Sequence, residues 1–315
     1  MSRPPGASVG GQAVLEGVMM RAPSGWAVAV RRPDGVIEAM SRELPRLASR
    51  SRLAKIPFFR GIMVLVESLS LGFRALSWSA QKAGIEEEGD AEIPKWQIAL
   101  TMVVAVTLGI ALFALIPVFA ADFLKRYVGD SSIAFVVLDG VIRIALIVGY
   151  MWVISRSKEI QRVFEYHGAE HMTIHAYEAG DPLSVEAVEA YSPRHPRCGT
   201  SFLILVGLVA FFVFLTLAEL PFVWQVASRV LLIPVIAGLS YEVLKAAAGY
   251  RWMAWASRPG IWLQRITTKQ PTDDQIEVAI ASLLAALDEG ERSAVEARGS
   301  IAPGALAAEL NIESA

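Results

Sequence analysis

Four apolar segments constrain this chain more than anything else in it. Residues 98–121 are uncharged and, at about 1.5 Å per residue, long enough as a helix to cross a bilayer core of about 30 Å. Residues 133–154 form a second such stretch, 202–217 begin a third and shorter one, and a fourth runs from about 230 to 248. Backbone in hydrocarbon must satisfy its own N–H and C=O groups, so helices are expected there. Composition agrees, with 54% hydrophobic residues, 19% charged and a mean hydropathy of +0.45. A net charge of −2 gives no reason to expect nucleic acid. The start of the chain lacks the apolar run and cleavage site of a signal peptide.

The expected fold class is therefore mainly α: a polytopic membrane protein with about four transmembrane helices, a small N-terminal β-hairpin module, an interfacial amphipathic helix and a C-terminal soluble helix. Residues 1–60 form the hairpin module, in which 26–30 and 36–40 read as strands around the turn chemistry of Arg31-Arg32-Pro33-Asp34-Gly35. Gln12, Glu16, Met19, Met20 and Arg21 read as a surface lead-in to it. Residues 61–95 hold a helix with Arg60, Glu67 and Arg74 every seven residues, fitting either the bilayer surface or packing against the spans, then an acidic linker over 86–92. Residues 96–155 and 202–249 hold two spans each, and 250–292 an interfacial stretch with Trp252, Trp255 and Trp262 and a soluble amphipathic helix over 276–287, capped by Thr272 or Asp273. The tail, 293–315, is expected to be mobile.

Within the second span Asp139 and Arg143 lie one helical turn apart and read as a structural ion pair. Glu242 and Lys245 sit near the end of the fourth. Basic residues concentrate in 156–197 and 251–269, against chiefly Lys125, Arg126 and Arg229 on the opposite side. By the positive-inside rule both termini and the loop 156–201 face the cytoplasm.

That loop contains all four histidines, His167, His171, His175 and His195, and the single cysteine, Cys198. His167-Gly168-Ala169-Glu170-His171 reads H-x-x-E-H, which on a helix places both histidines on one face with Glu170 beside them. Imidazole with thiolate suits zinc. His167, His171 and Cys198 would leave a fourth position for water, a catalytic arrangement with Glu170 as general base; adding His195 would close the shell and make the site structural. His175 continues the series on the same face, and Glu242 is a more distant carboxylate ligand candidate.

The stretches GGQAVLEGVMMR (10–21), YHGAEH (166–171), HPRCGTSF (195–202), Ser240-Tyr241-Glu242 and TTKQP (267–271), with Glu277-Val278-Ala279-Ile280, together resemble the DUF1385 or YqhQ-like family across roughly residues 9–290. Met172 departs from the family pattern, in which lysine often follows HGAEH. The resemblance implies a multi-pass protein of the bacterial inner membrane, labelled in places as a metal-dependent enzyme, and a shared cytoplasmic site in which Gln12, Glu16 and Arg21 approach the histidines. The expected function is a zinc-dependent hydrolase acting at the membrane surface on a peptide or lipid-linked substrate. The alternative is a non-enzymatic scaffold or membrane-protein biogenesis factor with a structural metal. A transporter built on Asp139, Arg143 and Glu242 is disfavoured, because four spans offer little pathway. The bilayer is the expected partner, beside an unknown protein or membrane-associated substrate, and homo-oligomerisation stays open.

Overall fold

The computed structural model describes residues 9–44, 56, 59–83, 95–129, 131–249 and 258–311. The acidic linker, Trp252 and Trp255, and the basic residues Arg46, Arg50, Arg52 and Lys55 lie outside these.

Strands β1 (Gly10–Val14), β2 (Gly17–Arg21), β3 (Gly25–Arg31) and β4 (Ile37–Glu43) form an antiparallel meander, and β5 (Glu309–Asn311) adds in parallel beside β4. The expected hairpin is β3–β4, with Val28 opposite Met40. The surface lead-in is overturned. Residues 10–21 are a second hairpin, turning at Leu15-Glu16 with Glu16 at φ 51°, and Met19 and Met20 are buried. The signal was obscured because this sheet is buried on both faces, so its strands lack the polar alternation of a half-exposed one. Val14, Met19, Trp26, Val28 and Val30 pack on Leu71 and Ala75 of α1 (Phe59–Ala83). Val18, Met20, Ala27 and Ala29 pack on α5 (Lys158–Ala179) and α11 (Asp273–Ala286).

Helix α11 carries the expected N-cap, Thr272, in a capping box with Gln275. It is not amphipathic but central: Ile276, Val278, Ala279, Ile280 and Leu283 are all fully buried. The alanines of β3 let it lie close to the sheet, and Ser282 Oγ donates to the Ala27 carbonyl at 3.3 Å. The tail is also ordered through Asn311. After α12 (Glu289–Glu296), Arg298 Nη1 donates to Tyr177 O at 2.8 Å and Ala302 N to Leu183 O at 2.9 Å, then α13 (Pro303–Leu306) leads into β5. Its partners are over a hundred residues away in sequence, where local patterning cannot reveal them.

The apolar segments are helical. Helices α2 (Lys95–Ile110) and α3 (Ile116–Val128) run together through a π-helical turn, Ala111–Leu115, followed by α4 (Ser132–Ile154). Pro117 has no N–H for the carbonyl of Phe113, and the wider turn absorbs that loss. Helix α7 (Thr200–Leu215) is short, and α8 (Phe222–Leu231) meets α9 (Ile233–Gly249) at a 57° bend next to Pro234. Val103–Tyr127 and Ser132–Ile154 are long and apolar enough to cross a membrane, and the bent pair makes a third if it is one span. Four full-length spans are thus not present among the described residues, because the third apolar segment is short and the fourth is broken. Exposed Val103, Val106, Leu108, Val141 and Val153 give these helices an apolar outer surface, as a lipid-facing helix requires.

Between them the Asp139–Arg143 pair forms as expected, with Arg143 Nη2 3.1 Å from both carboxylate oxygens. Arg229, expected among the charges of the outer side, is instead 2% exposed and donates to Asp139 Oδ2 at 3.0 Å, its guanidinium lying 4.0 Å over Phe214.

Candidate metal centre

The loop expected to carry the histidines is a helix, α5, long enough to place His167, His171 and His175 on successive turns. Gly168 does not interrupt it. A Cβ there would lie 2.0 Å from the Lys269 carbonyl, so the glycine lets the segment after α10 (Arg258–Thr267) press directly onto the helix. Lys269 N completes that contact by donating to Phe164 O at 2.9 Å.

This close approach orients the first ligand. His167 Nδ1 lies 2.8 Å from Thr267 O, and His171 Nδ1 lies 2.7 Å from Pro193 O. A carbonyl only accepts, so each Nδ1 carries the proton and each Nε2 presents a lone pair, the arrangement metal-ligating histidines use. His167 Nε2 lies 3.1 Å from Cys198 Sγ, and the ligand atoms of His167, His171 and Cys198 all fall within 4.8 Å of one another. His171 Nε2 is buried and has no hydrogen-bond partner among the described residues. A buried unpaired acceptor is costly, and a cation at the centre of this trio would satisfy it. The residues present therefore fit a metal ion.

Burial holds His171 neutral, its pKa pushed down to about 2. Burial also raises the Cys198 thiol, while Thr200 opposes this by donating from Oγ1 at 3.2 Å and from N at 3.4 Å. Cys198 stands just before the N-terminus of α7, where the helix dipole favours a thiolate.

His195 and His175 stand outside the trio. His195 Nδ1 accepts from Arg197 N at 3.2 Å, and its Nε2 faces Glu178 at 3.7 Å. Burial lowers its pKa to about 4. His175 points Nε2 at Arg194 O and stacks on Tyr191. Glu242 lies at the end of an ion pair with Arg60, on α9 and α1. Glu170 is 4% exposed, and burial pushes its carboxyl up to about 8; His167 and a backbone hydrogen bond from Gly11 pull it down, and Cys198 pushes it further up.

The N-terminal motif wraps this centre. Gly11 abuts Glu170, and a Cβ there would meet its carboxyl carbon at 3.1 Å. Glu16 takes Arg162 and Tyr166 on α5, one turn from His167. Gln12 and Arg21 turn the other way, to Gly72 and Glu67 of α1. Sequence reasoning missed Gln264, a fully buried side chain whose amide brackets the His195 backbone, accepting from its N–H and donating to its C=O at 2.9 Å each. It fixes the loop that delivers Pro193 O and Cys198. A lone glutamine between Leu263 and Arg265 offered no signal of this.

The sequence matches the family described as "Protein of unknown function (DUF1385)" over residues 56–289. It is also 35% identical over 287 residues to the "Uncharacterized protein YqhQ" of Bacillus subtilis (strain 168), covering 87% of this chain and 90% of that protein. The chain belongs to the DUF1385 family. No solved structure matches it. The match spans His167, His171, Cys198 and all the apolar helices described above.

Proposed function

We propose that this DUF1385 protein is a zinc-dependent hydrolase of the bacterial cytoplasmic membrane, with His167, His171 and Cys198 as ligands and Glu170 as general base. One observation carries this: the buried Nε2 of His171, without a hydrogen-bond partner among the described residues, converges with His167 Nε2 and Cys198 Sγ while His195 is engaged elsewhere. Three protein ligands are the set that keeps a position open. Zinc bound there would polarise a carbonyl and lower the pKa of water. Glu170 takes the proton of the attacking water and passes it to the leaving group. The water oxygen ends on the carbonyl carbon, and the bond to the leaving group breaks with its electron pair, which accepts that proton. A cation beside Glu170 favours its ionised form, offsetting the burial that raises it.

Topology supports a cytoplasmic site. The sheet, α5 and α11 share one core, so the chain before α2, between α4 and α7, and after α9 lies on one side of the membrane. The crossings before and after α5 are then even in number, which requires the short apolar helix α7 to cross as well as the two long helices and the bent pair. The basic flanks favour the cytoplasm for that side by the positive-inside rule.

Metal analysis of full-length protein in detergent tests the centre. About one zinc per chain is expected, lost in His171→Ala and Cys198→Ala. Glu170→Gln should keep zinc and fold while losing turnover of acyl ester or amide reporters. Folded wild type that neither purifies with zinc nor takes it up when zinc is added overturns the proposal; zinc with undiminished turnover in Glu170→Gln removes the base.

A further inference from the structure

Between α1, α7 and α9 lies a cavity of about 530 Å³. Its walls are Val64, Leu65 and Phe73 of α1, Phe202 of α7, and Tyr241 and Leu244 of α9. Two further lining residues tie it to the metal centre. Gly199 follows the ligand Cys198, and Gln12 follows Gly11, which abuts Glu170. Leu69 and Leu76, which also line it, are 53% and 42% exposed, so the cavity opens to the surface along α1, a helix that packs against the apolar helix α9.

We infer that this cavity seats one hydrocarbon chain of a membrane amphiphile, with the polar end of that molecule directed past Gln12 and Gly199 toward the centre. The volume falls within the roughly 300–1,000 Å³ of small-molecule sites. A peptide would bring backbone N–H and C=O groups that need partners. The lining offers few, and Gln12 already donates to Gly72 O at 3.4 Å. A saturated chain needs none and gains from burial in such walls. Walls drawn from the apolar helices α7 and α9, together with Gly199 beside Cys198 and Gln12 beside Gly11, match a molecule that carries both an apolar chain and a polar group. The reaction at the polar end rests on the hydrolase proposal; the seat itself rests on the cavity.

The test uses full-length protein in nanodiscs of phosphatidylethanolamine and phosphatidylglycerol, the latter carrying a mid-chain diazirine. Irradiation should label Leu65, Phe73 and Leu244. Val64→Trp, which fills the cavity, should lower labelling there by about tenfold at unchanged zinc content. Phe73→Ala, which enlarges it, should retain labelling at Leu65 and Leu244 and covers the case in which the tryptophan variant fails to fold. Labelling confined to the outer faces of α2–α4, labelling unaffected by Val64→Trp in folded protein, or a protein segment cross-linked at Leu65 and Leu244 in place of lipid would overturn the inference. Cavity labelling in protein devoid of zinc would leave the seat standing and sink the hydrolase. Zinc with diffuse labelling would do the reverse.

Discussion

Thr267 and Pro193 act on the His167, His171 and Cys198 cluster through their carbonyl oxygens, each of which fixes a proton on a histidine Nδ1 and frees its Nε2. The same close packing makes Gly168 intolerant. Gly168→Ala should cost about 1–3 kcal/mol of overpacking and displace Thr267 O, seen as a lower melting temperature and weaker zinc retention. Protonation follows from burial. In metal-free protein His171 and His195 are held down to about 2 and about 4, and Glu170 up to about 8, from 6.5 and 4.5 respectively. Between pH 4.5 and 6.5 the unfolded chain binds two histidine protons that the fold refuses, while the fold keeps one carboxyl proton that the unfolded chain releases. The unfolded state then binds more, so stability rises with pH. From 6.5 to about 8 only the carboxyl difference remains, and stability falls as pH rises. Each group contributes at most about 1.4 kcal/mol per pH unit. The melting temperature of metal-free protein should peak near pH 6.5, and Glu170→Gln should flatten the alkaline side. At this scale the grouping of His167, His171 and Cys198 was legible from the H-x-x-E-H spacing and the clustering of the histidines with the cysteine. That His195 and His175 turn away was not, because backbone partners at Arg197 and Arg194 direct them.

Among the elements, proline positions account for both irregularities of the apolar helices. Pro117 follows the π-helical turn and Pro234 the 57° bend, each removing one N–H from the helical ladder. The buried charges stand between elements as well, since Asp139 of α4 is shared by Arg143 of the same helix and Arg229 of α8. Asp139→Ala leaves two buried guanidinium groups facing each other and should cost about 3–5 kcal/mol, whereas Arg143→Leu keeps the Arg229 pair and should be much milder. Thermal unfolding in detergent, followed by size-exclusion chromatography, separates the two. If both variants melt alike, Asp139 is not what holds α4 to α8. The intrahelical pair could be read from spacing four residues apart; Arg229 could not, because its partner is ninety residues away.

For the whole molecule, the body around the sheet is assembled from three distant parts of the chain that the apolar helices separate. Residues 10–43 give the meander, α5 and α11 cover one face, α1 covers the other, and β5 closes the edge beside β4. Deleting 298–315 should therefore raise hydrogen exchange in residues 38–40 and in α11, where Gly304 N now donates to Glu277 at 3.2 Å, and lower the melting temperature. Unchanged exchange would mean the tail only rests on the body. The amino-acid order alone was enough to establish the apolar helices, the β3–β4 hairpin, a helix start at Thr272 or Asp273 and the histidine–cysteine cluster. Each is written in composition, turn chemistry or spacing within a few tens of residues. The tertiary structure alone decided that residues 10–21 are strands, that α11 is core and that the tail is folded. Those outcomes depend on a sheet buried on both faces and on contacts across hundreds of residues, which local periodicity does not encode.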